Sequence, residues 1–188
     1  FPLYVMIVTS VKPMDEIRLG NLMAWPLAPT LEPWVRAWSS ACTGLSCNEL
    51  QVGFVNSVVI AVPSVILSIL FGMINGYALS FWRVPWANWM FGILLLGAFI
   101  PYQVLFYPLV RITATLGLFG NLGGIVFVQV VFALPVMTLL FRNYYASLPE
   151  ELFKAARGDG AGFWRTWFSI MLPLSGPMLV VACILKAT

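Results

Sequence analysis

Residues 58–71 read Val58-Val59-Ile60-Ala61-Val62-Pro63-Ser64-Val65-Ile66-Leu67-Ser68-Ile69-Leu70-Phe71, the middle of an apolar run from about Val52 to Trp82. A hydrocarbon layer takes roughly 20 apolar residues per helical crossing, so this run is long enough to span one. Two more runs of that kind come after it. One covers about Trp89 to Leu109, around Met90-Phe91-Gly92-Ile93-Leu94-Leu95-Leu96, and the other about Gly123 to Phe141, holding Ile125-Val126-Phe127-Val128 and Thr138-Leu139-Leu140. Of 188 residues, 61% are apolar, 15% aromatic and only 9% charged, against about 45–50% apolar and about 25% charged in soluble domains. A mean hydropathy of +0.92 leaves too few polar side chains to cover a water-soluble globule. The solvent is a bilayer. Disordered, collagen-like and small disulfide-framework classes are excluded by the same composition. Ten Lys and Arg against seven Asp and Glu leave a net charge of +3, too little for a nucleic-acid partner. The chain has no His, which removes histidine general bases, Ser-His-Asp triads and His-ligated zinc or haem together, and no metal site is expected.

Outward from the spans, the chain divides into five parts. Residues 1–9 read as the end of a clipped transmembrane helix, because Phe1–Val8 is apolar, too short to cross and without the basic start of a signal peptide. Residues 10–51 form an extramembrane loop, 52–141 a core of three spans, 142–172 a second extramembrane loop, and 173–188 the start of a further transmembrane helix. Both ends are expected to be cut inside membrane segments. Basic residues orient the chain. Arg83, Arg142, Lys154, Arg157 and Arg165 are denser on one side than Lys12, Arg18, Arg36 and Arg111 on the other, which puts 142–172 inside and 10–51 outside. The margin is modest, and the reversed topology stays open.

The outer loop is rich in Pro, Trp and Asn, and Trp25, Trp34 and Trp38 suit a membrane interface. Cys42 and Cys47 lie in it, close enough to form a small disulfide loop in an oxidising compartment or to stay as two free thiols. Cys183 reads as a small packing residue. Pro63, Pro101 and Pro135 fall within or beside spans, where a kink is tolerated if neighbours satisfy the freed carbonyl. Asn56, Asn75, Gln103 and Gln129 read first as interhelical hydrogen-bond formers and second as ligand contacts.

Residues 142–172 are built differently. Ser147-Leu148-Pro149-Glu150 has the form of a capping box, with the serine hydroxyl on the third helical N–H and the glutamate reaching back. Pro149 in the first turn and the Glu150-Glu151 pair suit a helix start. A helix then runs through Leu152-Phe153-Lys154-Ala155-Ala156-Arg157, with Leu148, Leu152 and Ala155 on one face and Glu150 paired to Lys154 one turn on. Gly158-Asp159-Gly160 ends it: the glycines permit a left-handed cap and Asp159 is placed to cap the next helix. That second helix, from about Ala161 to Met171, presents Phe163, Trp164, Trp167, Phe168 and Met171, and Pro173 opens the next crossing. The residues alone leave two readings, an ordinary connector lying on the headgroups or a protruding helix–turn–helix that a partner grips.

Lys154-Ala155-Ala156-x-x-x-Gly160, then after nine residues Ile170-x-Leu172-Pro173, resembles the EAA loop of ABC importer permease subunits, whose pattern is Glu-Ala-Ala, three residues, Gly, nine residues, Ile-x-Leu-Pro. Leu148-Pro149-Glu150-Glu151-Leu152, Asp159-Gly160-Ala161, Ile100-Pro101-Tyr102-Gln103-Val104, Leu116-Gly117-Leu118 and Asn56-Ser57 are similar to the carbohydrate branch, and in it to the second membrane subunit of maltose-type importers. The likeness covers about Phe54 to the end. It implies an all-α, polytopic membrane helix bundle of the type I ABC importer permease kind, here with about three complete and two clipped transmembrane helices, in a bacterial inner membrane. It also implies that 142–172 is a cytoplasmic coupling loop and 10–51 periplasmic. Glu150, Glu151, Lys154, Ala155, Ala156, Asp159, Gly160 and Ala161 would meet a cytoplasmic ATPase dimer. A second homologous permease subunit and a periplasmic sugar-binding protein complete the expected partners. The chain has no Gly-x-x-x-x-Gly-Lys-Ser/Thr loop, so no cofactor is expected on it and ATP-Mg belongs to the ATPase. Lys154 departs from the pattern's Glu: a neighbouring acid takes the role, the ATPase cleft differs, or Lys154 pairs within its own helix.

Lys186 is a charge well inside a crossing. Such a charge is a pathway candidate, or it snorkels to an interface. Tyr102, Gln103 and Lys186 are the candidate substrate contacts. The outer loop and the run into Asn56-Ser57 look similar to glucose- or mannose-type permeases. The expected function is a non-enzymatic permease subunit of a binding-protein-dependent ABC sugar importer. The alternatives are an ATP-independent channel or secondary carrier, in which 142–172 is a mere connector, and a membrane-embedded enzyme, which would need catalytic groups at membrane depth where the chain has no acids.

Overall fold

The computed structural model describes residues 1–40, 42, 50–82 and 85–187. They form two compact units, 1–58 and 59–188. Among the described residues every regular element is helical: α1 (Pro2–Ser10), α2 (Met14–Arg18), α3 (Glu32–Ser40), α4 (Leu50–Phe81), α5 (Ala87–Phe99), α6 (Tyr102–Thr115), α7 (Leu122–Ala146), α8 (Glu150–Gly158), α9 (Phe163–Thr166), α10 (Leu172–Leu174) and α11 (Gly176–Ala187), with a π-helical turn over Trp167–Met171.

In the first unit the turns after α1 are tied by a buried lysine. Lys12 Nζ donates to the Asn21 carbonyl at 2.8 Å and lies 3.9 Å from the Glu16 carboxylate, which in turn accepts from the Leu27 N–H. A buried ammonium needs partners of this kind, and here they hold an otherwise irregular loop together. Cys42 is disulfide-bonded. Cys47 lies outside the described residues.

The second unit is organised by α4 and α7, which among the described residues are the two helices each long and apolar enough to cross a membrane. Lipid tails are as apolar as leucine, so helices in a bilayer associate by close packing rather than by escape from water. On α4 the residues Ser64, Ser68, Gly72 and Gly76 recur every fourth position, one face of a 3.6-residue helix. A β-carbon on Gly72 would come within 2.5 Å of Met137 Cβ, and one on Gly76 within 2.8 Å of the Arg142 backbone nitrogen. Ser80 extends the stripe and donates to the Arg142 carbonyl at 3.2 Å. Beside this seam lie Ile69, Met73 and Tyr77 of α4 and Ala133, Met137, Phe141 and Tyr145 of α7. Phe153, Trp167, Met171 and Ala182 close the core from the C-terminal elements. Pro63 and Pro135 sit inside α4 and α7 without ending them.

Three expectations about the spans are corrected. The crossing expected from Trp89 to Leu109 is a broken one: α5 and α6 meet at 107°. Ile100 is extended (φ −71°, ψ 124°) and Pro101 comes next at ψ 130°, because a proline ring pushes the residue before it out of the α region and supplies no N–H to continue a helix. Arg111, expected in an outer loop, lies within α6 with its guanidinium 5.7 Å over the Tyr107 ring. The connection is only the short turn after Thr115. There Leu118 N–H bonds back to Thr113 at 2.8 Å across Gly117 (φ +69°), and Asn121 caps α7 by accepting from Gly124 N–H at 2.9 Å. Pro173 does not open the last crossing. The run Phe163–Leu174 ends at Ser175, and α11 leaves at 75° from Gly176.

Candidate functional site

The helix α8 stands between the end of α7 and the bent C-terminal pair. The expected capping box is absent. Ser147 is the C-cap of α7, and its hydroxyl donates to the Tyr144 carbonyl at 2.7 Å. That leaves Pro149, extended at ψ 126°, as the N-cap of α8 with no side-chain cap bond. The preceding helix claims the serine first, since its terminal carbonyls also need donors. Glu150 is thereby free to pair with Lys154 at 3.0 Å, both side chains well exposed.

The buried face of α8 also differs from the one expected. Phe153 and Ala156 are buried, Leu148 is half-buried, and Leu152 and Ala155 are exposed. Both sets recur at helical spacing, and the larger ring decides. Phe153 stacks on Phe81 (centroids 4.7 Å apart, planes at 23°) and meets Tyr77 edge-on at 6.3 Å. An aromatic ring buries more area than the leucine that would replace it. Arg157 lies 5.3 Å over the Trp82 ring and 5.6 Å from Phe153, so its guanidinium covers the same aromatic cluster. Beneath α8 a cleft of about 910 Å³ is lined by residues including Ser80, Trp82, Tyr145, Glu150, Lys154 and Arg157.

α8 ends in a Schellman motif. Ala161 N–H bonds to the Ala156 carbonyl at 2.9 Å and Gly160 N–H to Arg157 at 3.0 Å, with Gly160 left-handed at φ +74°. This is the glycine cap the sequence permits. One detail is corrected. Gly162, not Asp159, is the N-cap of α9. A side chain at Gly160 would point into open space, so only its φ, and nothing in this chain's packing, resists substitution.

The second helix is α9 continued by the π turn. Of the residues expected on its apolar face, Trp167 and Met171 are buried and Phe163 is half-buried against Tyr77 at 4.7 Å and Trp82 at 5.2 Å. Trp164 and Phe168 are exposed, and Thr166 is buried instead. The π turn accommodates one extra residue per turn, which moves Phe168 off the inner face. Behind it Tyr145 and Ser175 share a buried hydroxyl pair at 2.9 Å, and Tyr144 donates to the Leu174 carbonyl at 2.6 Å. These bonds seat the bent C-terminal pair on α7. The result is a short helix and tight turn fixed to the span core through Phe153, Ala156 and Trp167. It presents Glu150, Glu151, Lys154, Ala155, Asp159 and Gly160 outward, Ala161 half-buried and Ala156 inward.

The Glu150–Lys154 pair contributes little to stability in this setting, about 0.3–0.5 kcal/mol for an exposed pair one helical turn apart. Lys154→Gln is therefore expected to leave the thermal midpoint of the full-length protein essentially unchanged. A fall of several degrees would show Lys154 holding the loop together by contacts other than this pair.

Of the candidate substrate contacts, Tyr102 lines a cavity of about 670 Å³ between α6 and α7, together with Phe106, Thr113, Gln129 and Phe132. Lys186 of α11 donates to Gln129 Oε1 at 3.1 Å and reaches its carbonyl at 3.4 Å. Gln129 thus joins the other two, which the sequence did not foretell, although it marked Gln129 as an interhelical hydrogen-bond former. Gln103 is exposed and not part of the cavity wall. Gly72 and Gly76 were also missed, and their four-residue spacing was the available signal. Among the described residues no three His, Cys, Asp or Glu side chains gather as a metal site would require.

Comparison with known proteins bears on this arrangement. Residues 68–188 match the family of binding-protein-dependent transport system inner membrane components. The arabinooligosaccharides transport system permease protein AraQ of Halalkalibacterium halodurans is 34% identical, over 99% of this chain and 64% of its own. The diacetylchitobiose uptake system permease protein NgcG of Streptomyces coelicolor is 30% identical, over 97% of this chain and 58% of its own. The chain thus spans about three-fifths of the length of these relatives. A bacterial ABC transporter involved in the import of the acidic polysaccharide alginate, solved by crystallography, shares the fold with a TM-score of 0.81 at 23% identity, covering all of this chain and 63% of that one. This chain belongs to the binding-protein-dependent transport system inner membrane components, as a multi-pass inner-membrane protein with the all-α fold of an ABC importer permease.

Proposed function

We propose that the chain is part of a permease subunit of an ATP-driven, binding-protein-dependent carbohydrate importer, and that it catalyses no reaction itself. The observation that carries this reading is the build of α8: anchored through Phe153 and Ala156 in the span core, yet outward-facing along Glu150, Glu151, Lys154, Ala155, Asp159 and Gly160. A helix built so transmits force rather than absorbing it. A push on its outer face reaches Tyr77 and Phe81 of α4 and the core of α7 through ring contacts, and close-packed interiors pass displacement on. The partner that pushes is a cytoplasmic ATPase dimer holding ATP-Mg, with 142–172 on the cytoplasmic side. A second homologous permease subunit and an external solute-binding protein complete the assembly.

The names of the relatives, for arabinooligosaccharides and diacetylchitobiose, support the saccharide class rather than one sugar. The cavity wall carries Tyr102 and Gln129, an aromatic face and an amide of the kind that hold hydroxyl-rich solutes, and Lys186 donates to Gln129 Oε1 from outside that wall.

The test is a disulfide cross-link. Ala155→Cys in the full-length importer, in native membranes, is expected to form an adduct with a cysteine placed on a co-purifying nucleotide-hydrolysing subunit, with a yield that changes when ATP is added. If Ala155→Cys forms no such adduct and no such subunit co-purifies, the reading is rejected, and transport without any ATPase would favour the self-contained carrier.

A further inference from the structure

We infer that α3 lies in the membrane interface, at the leaflet where α4 begins, with Leu31, Trp34, Val35 and Trp38 seated between headgroups and acyl chains. At 100° per residue these four fall within one sector of the helix. Glu32, Arg36, Ser39 and Ser40 occupy the neighbouring polar sector, where Arg36 and Glu32 pair at 2.6 Å. Pro33 and Ala37, half-buried, face the rest of the unit. The apolar sector is left uncovered: Leu31 is 69% exposed, Trp34 59%, Val35 63% and Trp38 46%. A short helix with two tryptophans on one side and an ion pair on the other has the pattern of helices that lie in an interface rather than span it.

Lipid is chosen over a protein partner because of where α3 is held. The Trp38 ring packs 5.7 Å from that of Phe54, on the opening turns of α4 and within the same unit. α4 has 32 residues, about 48 Å of helix, which matches a whole bilayer of about 40–45 Å with its headgroups at a modest tilt. Its first turns therefore lie at headgroup depth, and Trp38 is fixed to them. Leu50, Val52, Phe54, Val55 and Val58 on those turns are themselves exposed apolar residues, so the uncovered side of α3 lies beside further exposed apolar side chains at the same depth. Family membership supplies the membrane. The inference needs neither the ATPase partner nor the direction in which the chain is oriented.

The test places a photo-reactive benzophenone amino acid at Val35, and separately at Ser39, in the full-length protein within its assembled importer in native membranes. Irradiation is expected to add the mass of a phospholipid at position 35 and none at position 39. An adduct at position 35 with the solute-binding protein or the second permease subunit overturns the inference, as does the absence of any adduct. Nitroxide labels at the same two positions serve if the bulky residue impairs folding. The label at 35 is then expected to be more accessible to oxygen than to a water-soluble nickel chelate, with the reverse at 39. Equal accessibility at both positions also overturns it. None of these outcomes bears on the Ala155 cross-link, so the two readings fail separately.

Discussion

Gly160→Asp is expected to leave the protein inserted and folded while abolishing the coupling of ATP hydrolysis to uptake. The glycine sits at φ +74°, where a side chain strains the backbone, yet its β-position opens onto empty space in this chain. Moving a non-glycine residue into the left-handed region costs about 1–2 kcal/mol, and aspartate is among those that tolerate it best. That is less than the stability of an ordinary domain of about 5–15 kcal/mol, so insertion survives. The empty space is what an ATPase subunit would fill under the proposed function. A carboxylate at the middle of such a contact loses on the order of 2 kcal/mol or more, which is roughly 30-fold in affinity. Uptake of labelled substrate by cells carrying the variant should fall at least that far, with the protein present in the membrane at normal levels. Normal uptake would remove Gly160 from the coupling contact. Loss of the protein from the membrane would show that the turn is needed for folding itself.

The other large effect concerns assembly of the spans. Gly76→Leu is expected to prevent α4 from packing on α7, because even its first carbon would lie 2.8 Å from the Arg142 backbone nitrogen and from Phe141 Cβ, and 2.9 Å from the Phe141 carbonyl carbon. Those atoms are largely backbone of a 25-residue helix and have no rotamer with which to yield. Overpacking of a tight interior costs typically about 1–3 kcal/mol. At a helix crossing with backbone on both sides, the whole leucine must be accommodated by parting the helices, which also removes the contacts of Gly72 and Ser80. The full-length protein should lose its monodisperse peak on size-exclusion chromatography in mild detergent. Gly53→Leu, at a position on α4 where a β-carbon meets nothing within 4 Å, should keep that peak. Equal behaviour of the two variants would show that the α4–α7 seam does not hold the second unit together.

The two effects separate what is local from what is tertiary. The membrane class, the crossings of α4 and α7 and the glycine turn after α8 were legible because each rests on chemistry within a few residues: apolar run length, and the freedom of glycine to adopt a positive φ. Pro101 marked a weak point in the next crossing, but a proline inside α4 or α7 breaks nothing. Only the surroundings decided that Ile100-Pro101 became a 107° corner while Pro63 and Pro135 stayed inside continuous helices.

The candidate site divides in the same way. Its outward residues are legible as neighbours along one loop, since the placing of Glu150, Lys154 and Asp159 needs only their sequence spacing. Its inner face was not legible, because Leu148-Leu152-Ala155 and Phe153-Ala156 satisfy the same helical period. The choice between them was made by Phe81 and Tyr77, some seventy residues earlier in the chain. Ser147 likewise satisfied a local capping rule and was drawn away by the carbonyls of the helix before it. Lys186 could be recognised as an expensive charge in a crossing, but its partner Gln129 is 57 positions away, and no periodicity relates them. What the sequence by itself determined is the solvent this protein lives in, the helices that solvent demands and the turn that ends α8. What tertiary structure decided is which side of each helix faces inward, because in a bilayer hydrophobicity no longer distinguishes inside from outside, and the choice passes to close packing between distant residues.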